Sequence, residues 1–269
     1  MTLAAAPTIV VFDSGLGGLT VFREVVKARP DARFVYLADD AAFPYGDMPE
    51  PALITRIMHV VGKAIADHKP DLIVVACNTA STLALPELRR RYQVPFVGTV
   101  PAIKPACAQS KTKRVAVLGT EGTVHREYTK ALIREFAAGC DVELVGSSRL
   151  APLAEDELSG SPAGEAEIAA AIAPCFVDKD GRRTDTVVLA CTHYPLLVHR
   201  FKAAAPWPVE WLDPAPAIAR RVADLLHQRP AVEAVGPAPQ IIFTSGRAPS
   251  PALAKALAGY GFRPVRQPV

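Results

Sequence analysis

LIVVACNTA at residues 72–80 returns as VVLACTHYP at residues 187–195. Each copy opens as an unbroken apolar run and ends on Ala-Cys followed by polar residues. An aliphatic run with no polar alternation reads as a strand buried on both faces, the signature of a parallel sheet covered by helices. The same signature recurs around both copies. Residues 8–13, 33–38, 71–77 and 96–99 read as strands in the first part of the chain, and 114–119, 142–145 and 186–190 in the second. Helices are expected over 17–29, 50–68, 79–92 and 122–137, and from CTHYP to about residue 204. A further helix, strand and helix fill out the end. Residues 159–165, rich in Ser, Gly, Pro and Ala, read as a loop, and 178–183 as a polar turn. This alternation predicts an α/β fold of two similar domains, each a parallel-sheet core flanked by helices. Two echoing units commonly pack about an approximate two-fold axis, which sets equivalent strand ends face to face. Ligands of such sheets bind beyond the carboxyl ends of the strands, so the active site is expected between the two domains.

The chain has 269 residues, large for one core and comfortable for two. Its formal net charge is only +3, and the basic clusters at Arg89–Arg91 and Lys111–Arg114 lack interleaved aromatic residues. Neither is a platform for nucleic acid, and no nucleic-acid partner is expected. No apolar run approaches the roughly 18 residues of a membrane span. Residues 1–7 lack the basic and apolar regions of a signal peptide. The expected location is the cytoplasm, where Cys77, Cys107, Cys140, Cys175 and Cys191 stand as free thiols.

Cys77 and Cys191 carry the most chemistry. Each follows a strand and precedes a helix, where free N–H groups and the helix dipole favour thiolate. Either cysteine alone is most simply read as core. Equivalent positions in two echoing units reverse that reading. Two thiols on opposite faces of a carbon acid can remove a proton from one face and return one to the other. Asn78 and Thr79 follow the first, Thr192 and His193 the second. Hydroxyls, an amide and helix-start N–H groups can hold a carboxylate, though Thr and Asn also cap helices. His193 is a general acid or base, a tuner of Cys191, or an ordinary hydrogen-bonded histidine. Asp13 and Ser14 close the first strand, where Asp13 can accept a substrate ammonium, assist Cys77 or cap the helix. Gly15, Gly17 and Gly18 permit a tight turn, but Thr20 occupies the last glycine position of a dinucleotide fingerprint and no P-loop lysine follows. Cys191-x-His193 has no second ligand pair at zinc spacing, so no metal is expected. No lysine signature suggests a pyridoxal cofactor.

The blocks FDSGLGGLTV (12–21), FPYGD (43–47), VVACNTAS (74–81), VPAIKPA (100–106), LGTEGTV (118–124) and LACTHYPLL (189–197), in that order, resemble the glutamate racemase family. The resemblance implies cofactor-independent interconversion of L- and D-glutamate, supplying D-glutamate for peptidoglycan. It implies two domains, residues 1–99 with 213–269 and residues 100–212, and is compatible with a homodimer. It makes Cys77 and Cys191 the acid/base thiols, with Asp13 and His193 as helpers. Substrate contacts are implied at Asp13, Ser14, Tyr45, Gly46, Asn78, Thr79, Thr192 and His193, and at Thr120 and Thr123 of the GTEGT turn. A third helper carboxylate falls on Glu155 of APLAED, beside Asp156, where the sequence departs from the family pattern. CNTA and CTHYP also occur in racemases of aspartate and other small acids, while DSGLGG and PYG favour glutamate. A non-catalytic protein on the same fold is the other alternative, against which the presence of both thiols speaks.

Overall fold

A computed structural model describes residues 6–227 and 236–263, so most of the opening segment weighed above, residues 1–5, lies outside the described residues. The first part of the chain runs β1 (Thr8–Asp13), α1 (Leu19–Ala28), β2 (Arg33–Ala38), α2 (Glu50–His68), β3 (Leu72–Val75), α3 (Asn78–Arg91) and β4 (Phe96–Gly98). The pattern then restarts with α4 (Ile103–Gln109), β5 (Arg114–Gly119), α5 (Glu121–His125), α6 (Glu127–Phe136), β6 (Asp141–Gly146), α7 (Leu150–Leu158) and α8 (Glu165–Ile172). It continues through β7 (Asp178–Lys179), β8 (Arg182–Arg183), β9 (Thr186–Ala190), α9 (Val198–Ala204) and β10 (Glu210–Leu212). The chain closes with α10 (Ala215–Leu225), β11 (Gln240–Phe243) and α11 (Pro251–Ala258).

Two parallel sheets result, in the orders β11-β2-β1-β3-β4 and β10-β9-β5-β6. Taken from β2 and from β6, the orders 2-1-3-4 and 6-5-9-10 match strand for strand. β1 corresponds to β5, and β3 to β9; β11 is an addition at the edge. Phe12 lies opposite Val75 in one sheet and Gly119 opposite Ala190 in the other. That register makes Cys77 the counterpart of Cys191, and Asp13 the counterpart of Gly119. The sequence echo is therefore a repeat of topology, with different side chains beside the two thiols.

Alternate strand residues face opposite layers, as the two-residue period requires. Ile9, Val11, Phe34, Tyr36, Leu72 and Val74 pack under α1, α10 and α11. Val10, Phe12, Val35, Leu37, Ile73 and Val75 pack under α2 and α3. The second sheet is covered in the same way, by α7, α8 and α9 on one face and α4 and α6 on the other. Among the described residues, no helix is long and apolar enough to cross a membrane.

Some local expectations are corrected. The helix expected over 122–137 is two helices, α5 and α6, broken where Arg126 turns extended at ψ 143°. The Thr129 hydroxyl donates to the Thr123 carbonyl across the break at 2.6 Å. α4 and α7 carry Pro105 and Pro152, which look like breakers; both lie in the first turn, where no intrahelical N–H is needed. The polar turn at 178–183 is a small antiparallel hairpin, with Asp180 and Gly181 both at positive φ as a tight hairpin turn demands.

Candidate active site

The carboxyl ends of both sheets meet at one cleft. Ser14, Phe43, Pro44, Tyr45, Gly46, Cys77, Asn78, Thr79, Thr120, Cys191, Thr192 and His193 line it. Its open space is about 20 Å³, on the scale of a single water. Ten of these twelve positions, all but Phe43 and Pro44, are site residues expected from the sequence blocks, and the matched strand orders bring them together from positions as far apart as 14 and 193.

Cys77 caps α3, accepting from the Ala80 N–H at 3.5 Å and from the Ser14 hydroxyl. The helix start was expected to favour thiolate here. Burial and the neighbouring Asp13 carboxylate outweigh those donors, and the Cys77 thiol is pushed up to about 12. Cys77 is therefore protonated at neutral pH. Cys191 differs. It follows β9 directly and is succeeded by Thr192, His193 and a 3₁₀ turn (Tyr194–Leu197), rather than at once by an α-helix. Its sulfur lies 3.8 Å from His193 Nδ1, and His193 Nε2 lies 2.8 Å from Glu155 Oε1. Burial opposes charge on this imidazole, but its bonds to Cys191 and Glu155 hold its pKa well above the ordinary histidine value. Glu155 makes this contact; Asp156 is exposed.

Asp13, fully buried, accepts from the Gly15 and Gly18 amides at 3.2 Å each and from the Thr192 hydroxyl at 3.1 Å. Its two oxygens thus join the first glycine turn to the Cys191 strand end. Glu155 does the converse, accepting from the Leu16 N–H at 2.6 Å. The glycines serve this docking. A Cβ on Gly17 would lie 2.5 Å from His193 Nδ1, and one on Gly15 would lie 2.4 Å from Glu155 Oε1.

The hydroxyls of Thr79, Thr120 and Thr123 lie within 3.4 Å of one another, drawn from the ends of both sheets. Thr120 also caps α5 by accepting from the Thr123 N–H at 3.2 Å. The Asn78 amide is buried at the cleft with neither its oxygen nor its nitrogen hydrogen-bonded. A buried amide without partners costs free energy, and a carboxylate would satisfy its NH2. The Tyr45 hydroxyl is turned away from the cleft, donating to Asp39 at 2.6 Å. Sequence reasoning passed over Phe43, whose ring lies 5.2 Å from that of His193, and the Leu16 amide; neither has a polar side chain to signal it. Among the described residues, no three His, Cys, Asp or Glu side chains converge as metal ligands.

The comparisons with known proteins agree with this geometry. Residues 20–222 match the Asp/Glu/Hydantoin racemase model. A glutamate racemase from Brucella canis is 53% identical over 263 residues, covering 97% of this chain and 95% of the relative. The chain belongs to the glutamate racemase family. As a family member it is an isomerase, and its fold is the family's. Escherichia coli glutamate racemase, solved with L-glutamate and the activator UDP-MurNAc-ala, superposes with a TM-score of 0.87 at 39% identity, covering 96% of each chain. The Thermus thermophilus glutamate racemase, solved with β-chloro-D-alanine, does so at 0.73 and 30% identity, covering 98% of this chain and 96% of that one.

Proposed function

We propose that the chain interconverts L- and D-glutamate without a cofactor, by a two-base mechanism in which Cys77 and Cys191 work on opposite faces of Cα. With L-glutamate bound, the Cys191 sulfur takes the Cα proton while the Cys77 thiol gives its proton to the other face. The products are D-glutamate, a protonated Cys191 and a Cys77 thiolate. With D-glutamate the two exchange roles. The observation that carries this reading is the pairing of the two thiols at equivalent strand ends, lining one cleft.

The helpers follow from their contacts. His193, held by Glu155, supports negative charge on Cys191. Asp13 adjoins Cys77 from behind the cleft lining, and we assign it support of proton transfer at that thiol or, in the substrate-bound cleft, acceptance of the ammonium. Deprotonation builds charge on the α-carboxylate. Asn78, Thr79, Thr120, Thr123 and Thr192 are the donors assigned to the substrate carboxylates, together with Ser14, the Tyr45–Gly46 backbone and His193. Preorganised donors of this kind lower the barrier to a weak carbon acid. Glutamate is larger than the open space in the cleft, so its entry must widen the cleft; the Leu16–Glu155 and Asp13–Thr192 bonds are among the contacts that join the two halves there.

We assign residues 1–99 with 213–269 to one domain and 100–212 to the other, since β11 pairs with β2 and β10 with β9. We place the reaction in the cytoplasm, with D-glutamate destined for peptidoglycan, and take a homodimer as the working assembly. Polarimetry on L- and D-glutamate and on aspartate, in metal-free and cofactor-free buffer, tests the activity. Racemisation of glutamate is expected, and racemisation of aspartate alone would overturn the substrate assignment. Cys77→Ser and Cys191→Ser should each nearly abolish turnover with the fold intact. Full activity in either would refute the two-thiol mechanism.

A further inference from the structure

Asp39 follows β2 and is completely buried, yet it lies outside the cleft lining. Three side chains from three parts of the chain converge on it. Tyr45 donates its hydroxyl to Oδ2 at 2.6 Å, and Arg56 of α2 donates Nε to Oδ2 at 2.9 Å and Nη2 to Oδ1 at 2.5 Å. Thr244, the residue after β11, donates its hydroxyl to Oδ1 at 2.6 Å. Burial alone would raise the Asp39 pKa; the bonds from Arg56, Thr244 and Tyr45 more than offset this and hold the carboxyl below its ordinary range. The backbone continues the link. The Thr244 N–H donates to the Ala38 carbonyl at 3.0 Å, and the Asp39 N–H to the Asp13 carbonyl at 2.9 Å.

The consequence concerns Tyr45 and Gly46. The Tyr45 hydroxyl is committed to Asp39, so the residue can meet a substrate only through its ring or backbone. Its position at the cleft is set from behind. We propose that Asp39 is a positioning residue for substrate binding, fixing the Pro44–Gly46 turn against the cleft through Tyr45, and that Thr244 extends this control to β11. The proposal rests on the glutamate racemase reading and adds a positioning network to it. The side chains of this network make no bond to the thiols, His193 or Glu155 and reach Asp13 only through its backbone carbonyl, so the network governs how substrate is held more than it governs the proton transfers. Loss of such an interaction weakens ground state and transition state alike and appears in KM.

Arg56 and Thr244 also line an outer cavity of about 330 Å³ together with His59. His59 shares that cavity but makes no bond to Asp39, which makes it the internal control. The test is steady-state kinetics in both directions on Thr244→Val, Thr244→Ser, Tyr45→Phe and His59→Ala, with a thermal melt of each. Asp39→Asn is added but not relied upon, because it removes the charge facing Arg56 and could prevent folding. Thr244→Val and Tyr45→Phe should each raise KM for both enantiomers about fivefold, the scale of one hydrogen bond, with kcat within about twofold of wild type. Thr244→Ser should restore the wild-type KM, and His59→Ala should not change it. The proposal is overturned if Thr244→Val and Tyr45→Phe melt earlier but keep the wild-type KM, or if His59→Ala raises KM equally. A wild-type protein that fails to racemise glutamate would instead overturn the reading beneath it.

Discussion

His193 Nε2 lies 2.8 Å from Glu155 Oε1, and this contact orients the ring that faces Cys191. Cys77 has no such partner. Its counterpart support is Asp13, a carboxylate that opposes thiolate, in a register position where the second sheet has Gly119. Two topologically equivalent thiols are thus held in different electrostatic settings, one beside an imidazole and the other beside a carboxylate.

Neutralising Glu155 should weaken the imidazole's support of Cys191. Glu155→Gln keeps the size of the side chain and removes its charge. Loss of a charge-assisted bond of about 1.5–3 kcal/mol predicts a fall in kcat/KM of roughly tenfold or more. L- and D-glutamate are enantiomers of equal free energy, so kcat/KM must fall equally in both directions, while kcat and KM separately need not. Circular dichroism progress curves from each enantiomer measure this. An unchanged kcat/KM would show that Glu155 only docks the Leu16 amide.

Adding a methyl at Gly17 displaces His193 directly, since the new Cβ would lie 2.5 Å from Nδ1. Misplacement of a catalytic group by about 1 Å can cost on the order of a hundredfold. Gly17→Ala should therefore lose about that much kcat while its far-ultraviolet spectrum stays that of wild type. Wild-type turnover would mean the ring has room the packing does not show.

The Cys77 thiol also sets a pH dependence of stability. Its pKa is about 12 in the fold against roughly 8.5 in an unfolded chain. A raised folded value means the stabilising contribution is fully present below about pH 8.5 and is lost as pH climbs toward 12. Melting temperatures should fall over that window, and Cys77→Ala, which has no thiol to titrate, should fall less steeply. At pH 7 the wild-type Cys77 should resist iodoacetamide. Parallel melting curves for the two proteins would contradict the assignment.

Strands β1, β3, β5 and β9 were legible because each is built on a continuous apolar run, and the long helix Glu50–His68 because its amphipathic pattern is unbroken. Helices α4 and α7 were hidden by prolines that sit harmlessly in first turns. At the site, Cys77, Asn78, Thr79, Cys191, Thr192 and His193 were readable from two blocks that repeat the same strand-to-cysteine pattern. Glu155 came only from family resemblance, and its contact with His193 depends on α7 facing the glycine turn across the cleft. The partners of Asp39 could not be read at all. Thr244 lies 205 positions away from it, and nothing local in either stretch marks them as neighbours. The thiol chemistry of Cys77 was misjudged for a related reason. A helix start is visible in sequence, whereas full burial beside a carboxylate is a property of the packed cleft.

The central claim is that two groups, one on each face of Cα, carry out the reaction. Proton NMR of glutamate in D2O, read within the first few per cent of turnover, tests it most directly. The account predicts that newly formed D-glutamate carries deuterium at Cα while the remaining L-glutamate keeps its hydrogen, and the mirror result starting from D-glutamate. A product that retains the hydrogen of its substrate would contradict it, because a single group would then have moved that hydrogen from one face to the other.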